Sequence, residues 1–348
     1  MSQAVRFCTT RDGVRVAYAV TGAGPALVRA PHWLTHIEYD WRMPVRRHWI
    51  EAFSNGYRFV RFDPRGTGLS EREAPDVGVE GWVSDLEAVV DAAGLERFAL
   101  LGPSQGGAVA IEYALRHPER VSHLVLIGAF ARGKLKRDAS QTEDALAQLK
   151  LVELGWGSDD PAYRQVFAAQ MMPTGSPEAI ASLTEMMRLS ATPAMAVRII
   201  RALYDIDVAS SARAVRCPTL LLHSRGDRRV PHEEGLLLAN LIPGARFVTL
   251  ESINHLLPAD DPAWPEFVAR IRAFVPANAG PVGLSERERD VLEQLANGFD
   301  NAHIAARLGM TEKTVRNHLT RIFEKIGAHH RSEAIVRARE AGFGGREG

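Results

Sequence analysis

The feature that most constrains the fold is a series of short apolar runs that recur over the first three quarters of the chain. Runs this short and continuous are typical of strands buried on both faces of a sheet. They are Phe59–Phe62, Phe98–Leu101, Leu124–Ile127, Thr219–Leu222 and Phe247–Leu250. Segments with helical spacing separate most of them, at 83–93, 106–116 and 233–241. Strands that alternate with helices predict an α/β fold with a mostly parallel sheet, covered by helices on both faces.

The two ends of this region and its middle carry different patterns. Alternating apolar residues after the Asp12-Gly13 turn predict an opening strand, and a second one follows at 26–28. Between about 130 and 213 the spacing is helical without clear strands, which predicts an inserted helical cap. A helix at 264–274 then closes the region.

The length of the chain favours two domains, because 348 residues exceed what one hydrophobic core usually supports. We predict a first domain at 1–276, a linker at 277–282 and a second domain at 283–348. The linker is predicted because Pro, Gly, Ala and Asn replace bulky apolar side chains there.

Composition excludes several classes of protein. The 42 basic and 42 acidic side chains balance, so any contact with nucleic acid must be local. Cys8 and Cys217 are far apart and in no metal-ligand spacing, so we expect no disulfide framework, no metal site and no cofactor. The chain has neither an apolar leader nor a long uncharged apolar run, which predicts a cytoplasmic protein without a membrane partner.

A serine lies at a tight turn between one predicted strand and a helix. The run 98–101 leads into Gly102-Pro103-Ser104-Gln105-Gly106-Gly107, and helical spacing starts at once. This strand-turn-helix context is what the G-x-S-x-G nucleophile elbow requires. Small residues allow a turn sharp enough to hold the Ser104 hydroxyl clear of the sheet. The alternative, an ordinary turn serine, fits the strand, the glycines and the helix less well.

A serine hydroxyl is a weak nucleophile unless a histidine takes its proton and a carboxylate orients that histidine. Asp227 and His255 each follow a predicted strand, at the edge where open parallel sheets place their sites. Asp205 and Asp207 are alternative acids at the end of the helical segment. A purely structural role is the alternative for His255.

These residues together resemble the α/β-hydrolase superfamily, which has the same chain order of Ser, Asp and His. The segment Asp63–Ser70 is similar to that family's D-x-R-G-x-G-x-S loop. The resemblance implies an oxyanion hole formed by the backbone N–H of Gln105 and a second N–H at His32 or Trp33. The loop around these last two residues departs from the family's usual His-Gly start. Losing one such donor costs about 10²–10³ in rate, so we expect slow turnover.

The serine nucleophile restricts the chemistry without naming a substrate. It is compatible with hydrolysis of an ester, thioester, lactone, amide or C–C bond, and it excludes an aspartyl-ester route. Paired methionines in the helical segment, at 171–172 and 186–187, could line an adaptable apolar pocket. Ordinary core packing is the alternative for them.

The tail predicts four helices, at 285–297, 301–308, 311–326 and 332–341. Ser285 with Glu288 forms a predicted capping box, and Asp300 and Ser332 are predicted N-caps. The short turn at 308–310 fits the connection of a helix-turn-helix.

The third of these helices has one apolar face and one polar face. Its apolar stripe contains Val315, Leu319, Ile322, Phe323 and Ile326. Arg316 and Asn317 have the chemistry to read guanine and adenine edges, and Lys313 and Arg321 can neutralise phosphates. Thr314 and Thr320 complete the candidate DNA-binding set. An ordinary amphipathic surface helix is the alternative.

The tail resembles the LuxR-type DNA-binding domain over nearly all of 283–342. The matching positions include Leu284–Glu288, Gly298, Asn301, Ile304-Ala305, Leu308, Thr314–Arg316, His318, Lys325–Gly327 and Arg331. The resemblance implies a double-stranded DNA partner and a homodimer. Acidic and basic side chains are nearly balanced within the tail, so two copies on a two-fold site would be needed for useful affinity.

The leading functional hypothesis is a DNA-binding transcriptional regulator. In it, the first domain senses and hydrolyses a small, apolar, ester- or lactone-like ligand. The alternative is an active serine hydrolase whose tail serves localisation or dimerisation. A third hypothesis is a pseudoenzyme that only holds the ligand.

Overall fold

The computed structural model describes residues 3–32, 35–276, 284–341 and 343–344. The chain forms two compact units. The larger comprises Met1–Thr21, Ala26–Ala52 and Phe59–Phe274, and the smaller comprises Gly22–Pro25, Phe53–Arg58 and Val275–Gly348. The predicted linker at 277–282 lies outside the described residues, so the predicted domain boundaries remain predictions.

An eight-stranded sheet forms the centre of the larger unit, as far as the described residues go. In chain order its strands are β1 (Ala4–Thr9), β2 (Arg15–Thr21), β3 (Ala26–Arg29), β4 (Arg58–Asp63), β5 (Phe98–Pro103), β6 (Val121–Ile127), β7 (Thr219–Ser224) and β8 (Arg246–Leu250). Their order across the sheet is β1-β2-β4-β3-β5-β6-β7-β8. β1 with β2 and β2 with β4 pair antiparallel. β3 with β5, β5 with β6, β6 with β7 and β7 with β8 pair parallel. The predicted mostly parallel α/β sheet is therefore confirmed.

Burial follows the sequence pattern. Every residue of β7 is buried and nearly every residue of β5, as expected for strands covered on both faces. β1 is half-exposed and lies at one edge of the sheet. Its hairpin with β2 turns at Gly13, whose φ of +88° is a conformation that glycine adopts without strain.

Helices follow most of the strands. Those outside the segment between β6 and β7 are α1 (Ile37–Arg42), α2 (Pro44–Ser54), α3 (Val79–Ala92), α4 (Gly106–Arg116), α10 (His232–Leu241) and α11 (Trp264–Phe274). The predicted bounds of α4 and α11 agree with these, and α3 and α10 start earlier than predicted. No helix in the described part of the chain is both long and apolar enough to cross a membrane.

The segment between β6 and β7 is helical, as the sequence predicts. It contains a short 3-10 helix (Lys134–Lys136), α5 (Ala139–Gly155), α6 (Ala162–Met171), α7 (Pro177–Ser190), α8 (Pro193–Tyr204) and α9 (Ala209–Ala212). Ser176 and Thr192 cap α7 and α8 with their hydroxyls, and a proline follows each cap. This order suits a helix start, because proline lacks the N–H that a first turn leaves unpaired.

The described tail residues of the smaller unit form α12 (Glu286–Ala296), α13 (Asn301–Leu308), α14 (Glu312–Ile326) and α15 (Arg331–Glu340). Their apolar faces meet in one core. It contains Leu284, Val291, Leu292, Leu295, Ile304, Val315, Leu319, Ile322 and Ile326 among others. The predicted apolar stripe of α14 is buried there, with Phe323 only partly so.

The predicted caps at Ser285 and Asp300 are confirmed, and the predicted cap at Ser332 is wrong. Ser285 and Glu288 form the full capping box, and Asp300 and Thr311 cap α13 and α14. Ser332 does not cap α15. The ring of His330 accepts the backbone N–H of Glu333 instead, and the Ser332 hydroxyl contacts that same ring.

Glu288 connects the start of α12 to α14, and its charge should stabilise the tail in a pH-dependent way. Its Oε2 accepts from the Ser285 N–H at 2.7 Å and from Lys325 Nζ at 2.7 Å, which lowers the pKa of Glu288 from 4.5 to about 2. A carboxyl whose pKa falls on folding stabilises above its unfolded pKa, and this stabilisation is lost as the pH falls through the folded value.

We predict that Glu288→Gln weakens the tail by about 1 kcal/mol at neutral pH. The difference from wild type should shrink as the pH falls from 4.5 toward 2. Hydrogen exchange of peptides from α12 and α14 in the full chain measures it. Glu324→Gln, at an exposed position of α14, is the control. A difference that does not change with pH would contradict the prediction.

Candidate active site and nucleic-acid interface

Ser104 lies in the turn between β5 and α4 with a φ of +51°. Such a left-handed conformation costs energy for a side chain other than glycine. Its backbone N–H donates to the Ile127 carbonyl at 2.8 Å, which ties the turn to β6. The glycines on either side of this turn are closely packed. A Cβ at Gly102 would lie 2.9 Å from the Gly107 Cα, and one at Gly106 would lie 2.7 Å from the Pro31 carbonyl oxygen.

His255 and Asp227 form a close pair beside this turn. His255 Nδ1 lies 2.6 Å from Asp227 Oδ2. The other carboxylate oxygen, Oδ1, accepts the backbone N–H groups of Arg229 at 2.8 Å and Val230 at 2.9 Å. Burial alone would raise the pKa of Asp227, but the His255 charge and these hydrogen bonds lower it overall. Asp227 is therefore held as an anion that orients the imidazole.

The loop that carries His255 is fixed by the residue before it. The Asn254 side chain donates to Asp261 Oδ2 at 2.7 Å, and the Asn254 carbonyl accepts from Ser224 Oγ at 2.7 Å. His223 lies on the other side of the acid, with Nε2 at 3.6 Å from Asp227 Oδ2. Burial lowers the pKa of His223, which disfavours a positive charge on its ring.

Ser104 and His255 line the same cavity. Among the described residues, no hydrogen bond joins the Ser104 hydroxyl to the imidazole. This contact often tightens only when substrate binds. The three predicted triad residues are thus brought to one edge of the sheet, whereas Asp205 and Asp207 lie exposed in the helical segment.

The structure describes two of the three predicted oxyanion residues, Gln105 and His32. Gln105 is buried directly before α4, where a helix start leaves backbone N–H groups open. His32 is buried beside it, and its Nε2 lies 3.1 Å from Arg46 Nη1. Burial lowers the pKa of His32 well below its usual value, so the neutral ring accepts from Arg46. Trp33 lies outside the described residues, and its role stays a prediction.

The Asp63–Ser70 loop supports this side of the site. Asp63 Oδ2 accepts the backbone N–H groups of Ile37 at 3.1 Å and Leu69 at 2.9 Å. Arg65 is fully buried and contacts Asp85 Oδ1 at 2.9 Å and Asp12 Oδ2 at 2.7 Å. The contact between Asp63 and the Ile37 N–H holds the segment that follows His32.

Two cavities meet at Ser104. The larger is lined by Arg29, His32, Arg46, Trp49, Pro103, Ser104, Ile127, Met171, His255 and Leu256. The smaller is lined by Ser104, Phe130, Gly133, Lys134, Arg137, Leu203, Tyr204, Arg229 and Val230. Met171 is the predicted methionine that lines a cavity, whereas Met172, Met186 and Met187 are core residues.

The cationic side chains of these cavities were missed at the sequence level. Arg29 and Arg46 line the larger one, and Lys134, Arg137 and Arg229 line the smaller one. Only Arg229 carried a signal, since it lies two residues after the predicted acid. An arginine in a charged surface pattern looks the same in sequence as one turned into a cavity.

The candidate DNA-binding residues lie on one helix. Gly309, with a φ of +64°, ends α13 and lets the chain turn into α14. Within α14 the six predicted side chains are all exposed: Lys313, Thr314, Arg316, Asn317, Thr320 and Arg321. The Thr314 and Thr320 hydroxyls also have partners inside the helix and its cap, Thr311 Oγ1 at 2.8 Å and the Arg316 carbonyl at 3.2 Å. Exposed basic and amide side chains on one helix have the chemistry that reads base edges and contacts phosphates in a major groove.

Two families match the chain. Residues 39–169 match the family described as alpha/beta hydrolase fold. Residues 282–338 match the luxR family of bacterial regulatory proteins.

Similar proteins agree with the first match. A 2-hydroxy-6-oxo-2,4-heptadienoate hydrolase of Pseudomonas putida is 31% identical over 246 residues, 68% of this chain and 80% of the relative. A pyrrolizixenacetamide deacetylase of Xenorhabdus hominickii is 28% identical over 269 residues, 75% of this chain and 94% of the relative. Among solved structures, the esterase RhEst1 from a Rhodococcus species is 26% identical, with a TM-score of 0.63, and the match covers 78% of this chain and 98% of that one.

The sheet order, the positions of Ser104, Asp227 and His255, and these matches lead to one conclusion. The chain belongs to the α/β-hydrolase family and carries a LuxR-type helix-turn-helix DNA-binding domain at its C-terminal end.

Proposed function

We propose that this protein is a transcriptional regulator whose hydrolase domain binds and hydrolyses a small ester- or lactone-like ligand. The observation that carries the proposal is one covalent chain with two prepared sites: a Ser104, Asp227 and His255 constellation and an exposed recognition face on α14. A regulator of this kind acts in the cytoplasm and binds DNA as a homodimer.

The geometry supports a serine hydrolase mechanism. Ser104 Oγ attacks the carbonyl carbon while His255 takes the hydroxyl proton, and Asp227 stabilises the imidazolium that forms. The N–H of Gln105 and a second N–H at His32 or Trp33 stabilise the negative oxygen. His255 then protonates the leaving group, and water releases the acyl group by the same steps in reverse. Relatives named as a deacetylase and hydrolases support this chemistry.

The second candidate is an enzyme whose tail only localises or dimerises it. The held Asp227–His255 pair favours this reading as much as the first, because sensing alone does not require an oriented base. The two proposals differ in whether events at Ser104 reach the DNA.

We predict that a fluorophosphonate probe labels Ser104 in the wild-type protein and that Ser104→Ala abolishes labelling. Hydrolysis of 4-nitrophenyl esters should fall by at least about 10³-fold, because the nucleophile is lost. The control is Ser210→Ala, at an exposed position of α9. Equal labelling of the two variants would place the reactive group elsewhere.

We predict that Arg316→Ala combined with Asn317→Ala removes sequence-specific DNA binding and leaves ester hydrolysis unchanged. Each base-reading side chain contributes about 1–3 kcal/mol of discrimination. Lys313→Ala should weaken binding to all sequences alike and lower the salt dependence by about one phosphate contact. Footprinting on the protein's own promoter region, with Glu324→Gln as control, measures both. An unchanged footprint in the double variant would rule out this face.

A third experiment tests whether the hydrolase site and the DNA-binding face are coupled. We predict that labelling Ser104 changes the affinity for the footprinted DNA at least fivefold, because a regulator needs coupling between its sites. Fluorescence anisotropy of labelled and unlabelled protein measures it, and probe-treated Ser104→Ala is the control. Identical affinities would favour the second candidate, an enzyme with a tethering tail.

A further inference from the structure

The smaller cavity beside Ser104 has an unusual wall. Three of the side chains that line it are cationic: Lys134, Arg137 and Arg229. The remaining lining is largely apolar or aromatic, with Phe130, Leu203, Tyr204 and Val230. No acidic residue is among the described residues that line it.

Arg229 is buried without a carboxylate partner. It is 5% exposed, and its guanidinium donates to Gln148 Oε1 at 2.8 Å, Gln170 Oε1 at 3.3 Å and the Tyr204 hydroxyl at 3.2 Å. All three acceptors are neutral, and the rings of Phe167 and Tyr204 face the cation at 5.7 and 5.6 Å. Within the described residues no acid forms a salt bridge with it, and Asp144 acts on it only through a longer-range charge interaction. Burying such a charge is costly unless something compensates it.

Arg137 has an unused donor at the same wall. Its side chain is 6% exposed, and its Nε donates to the Arg132 carbonyl at 2.9 Å. Glu234 Oε1 lies 3.5 Å from that Nε and is shared with Arg132 Nη2 at 2.9 Å. Arg137 Nη1 is buried and, among the described residues, has no hydrogen-bond partner. A buried guanidinium N–H without an acceptor loses its hydrogen bonds to water and gains none within the protein.

Lys134 is the third cationic side chain of this wall. Its Nζ contacts Asp144, whose side chain is 45% exposed. The directly contacting charges are then Arg132, Lys134, Arg137 and Arg229 against Asp144 and Glu234. Asp227 and the exposed Asp138, whose charge acts on Arg137, offset this excess of positive charge, but neither of them lines the cavity. Burial and the Arg229 charge lower the pKa of Lys134, as expected where cations crowd together.

We infer that this wall, Lys134, Arg137 and Arg229, binds a carboxylate of the ligand, so that the substrate is an ester or lactone that carries an acidic group on its acyl part. Arg137 Nη1 and the Arg229 guanidinium supply the donors that a carboxylate accepts. The apolar part of the ligand occupies the larger cavity, where Trp49, Ile127 and Leu256 lie. The inference rests on the proposed function for the attack by Ser104.

Ser104 lines both cavities, which places the bond to be cleaved between the anionic and the apolar ends. Attack forms the bond between Ser104 Oγ and the acyl carbon, and the alcohol leaves with the proton that His255 carries. Water then cleaves the acyl-enzyme and yields a second carboxyl group. Overall, one ester and one water molecule give a dicarboxylic acid and an alcohol.

The test uses charged and uncharged 4-nitrophenyl esters of matched length. The charged set is the monoesters of succinic, glutaric and adipic acid, and the uncharged set is the butanoate, pentanoate and hexanoate. We expect wild-type kcat/KM to be at least tenfold higher for one charged ester than for its uncharged match. No preference within any pair would overturn the inference.

Variants of Arg137 test whether the wall causes the preference for the charged ester. Arg137→Gln should lower kcat/KM for the preferred charged ester at least tenfold and leave the uncharged ester within twofold, which also shows that the variant folds. Arg137→Lys should restore part of the loss. Arg225→Gln is the control, because Arg225 pairs with Glu251 on the surface. An equal loss for both esters in Arg137→Gln, with no rescue by Arg137→Lys, would count against the site.

A binding measurement separates this inference from the proposed function. Calorimetry with Ser104→Ala compares the methyl monoesters of the three diacids with their dimethyl esters. If the wild type hydrolyses no ester but the variant binds a monoester at least tenfold more tightly, hydrolysis is wrong and the anion site stands. If the wild type hydrolyses esters but shows no preference for charge in rate or binding, the anion site is wrong and hydrolysis stands.

Discussion

The arrangement of the larger unit depends on one strained residue. Ser104 has a φ of +51° at the point where β5 ends and α4 begins, and the strain is stable only because the surroundings leave no alternative. Gly102 and Gly106 allow α4 to approach β5 and the Pro31 carbonyl more closely than any side chain would permit. The parallel order of β5, β6, β7 and β8 then delivers the loops of Asp227 and His255 to the same edge. The turn thus places Ser104, and the order of the strands places Asp227 and His255 at the same edge.

The sequence predicted the sheet well because its strands leave short-range marks, and the candidate triad was inferred from the same marks. Doubly buried strands such as β7 are continuous apolar runs, and Asp227 and His255 each follow one. Helix bounds were less accurate, since α3 and α10 begin with residues of weak propensity. The cap of α15 was wrong for a local reason. Ser332 and His330 both carry a hydrogen-bond acceptor, and only the three-dimensional turn decides which of them accepts the backbone N–H of Glu333.

The cationic walls of the two cavities could not be predicted in the same way. Arg46 lies on α2, a helix without a strong sequence signal, and Lys134 and Arg137 lie where the chain enters the helical segment. Their positions result from long-range packing, which brings them close to Ser104 only after the sheet has formed. The same is true of Arg29, which pairs with Asp40 at 3.3 Å from the other side of the site. Residue type alone does not tell a buried arginine from an exposed one.

Asp227 and Arg229 show how chemistry and selectivity can be kept apart. The backbone N–H of Arg229 holds the acid in place, while its side chain forms part of a cavity wall. Any residue except proline supplies that N–H, so position 229 can change its side chain without disturbing the acid. Related chains can therefore diverge in the ligands they accept while they inherit the same hydrolytic apparatus. Within this fold, a change two residues from Asp227 can reshape the cavity wall while the backbone contact that holds the acid is kept.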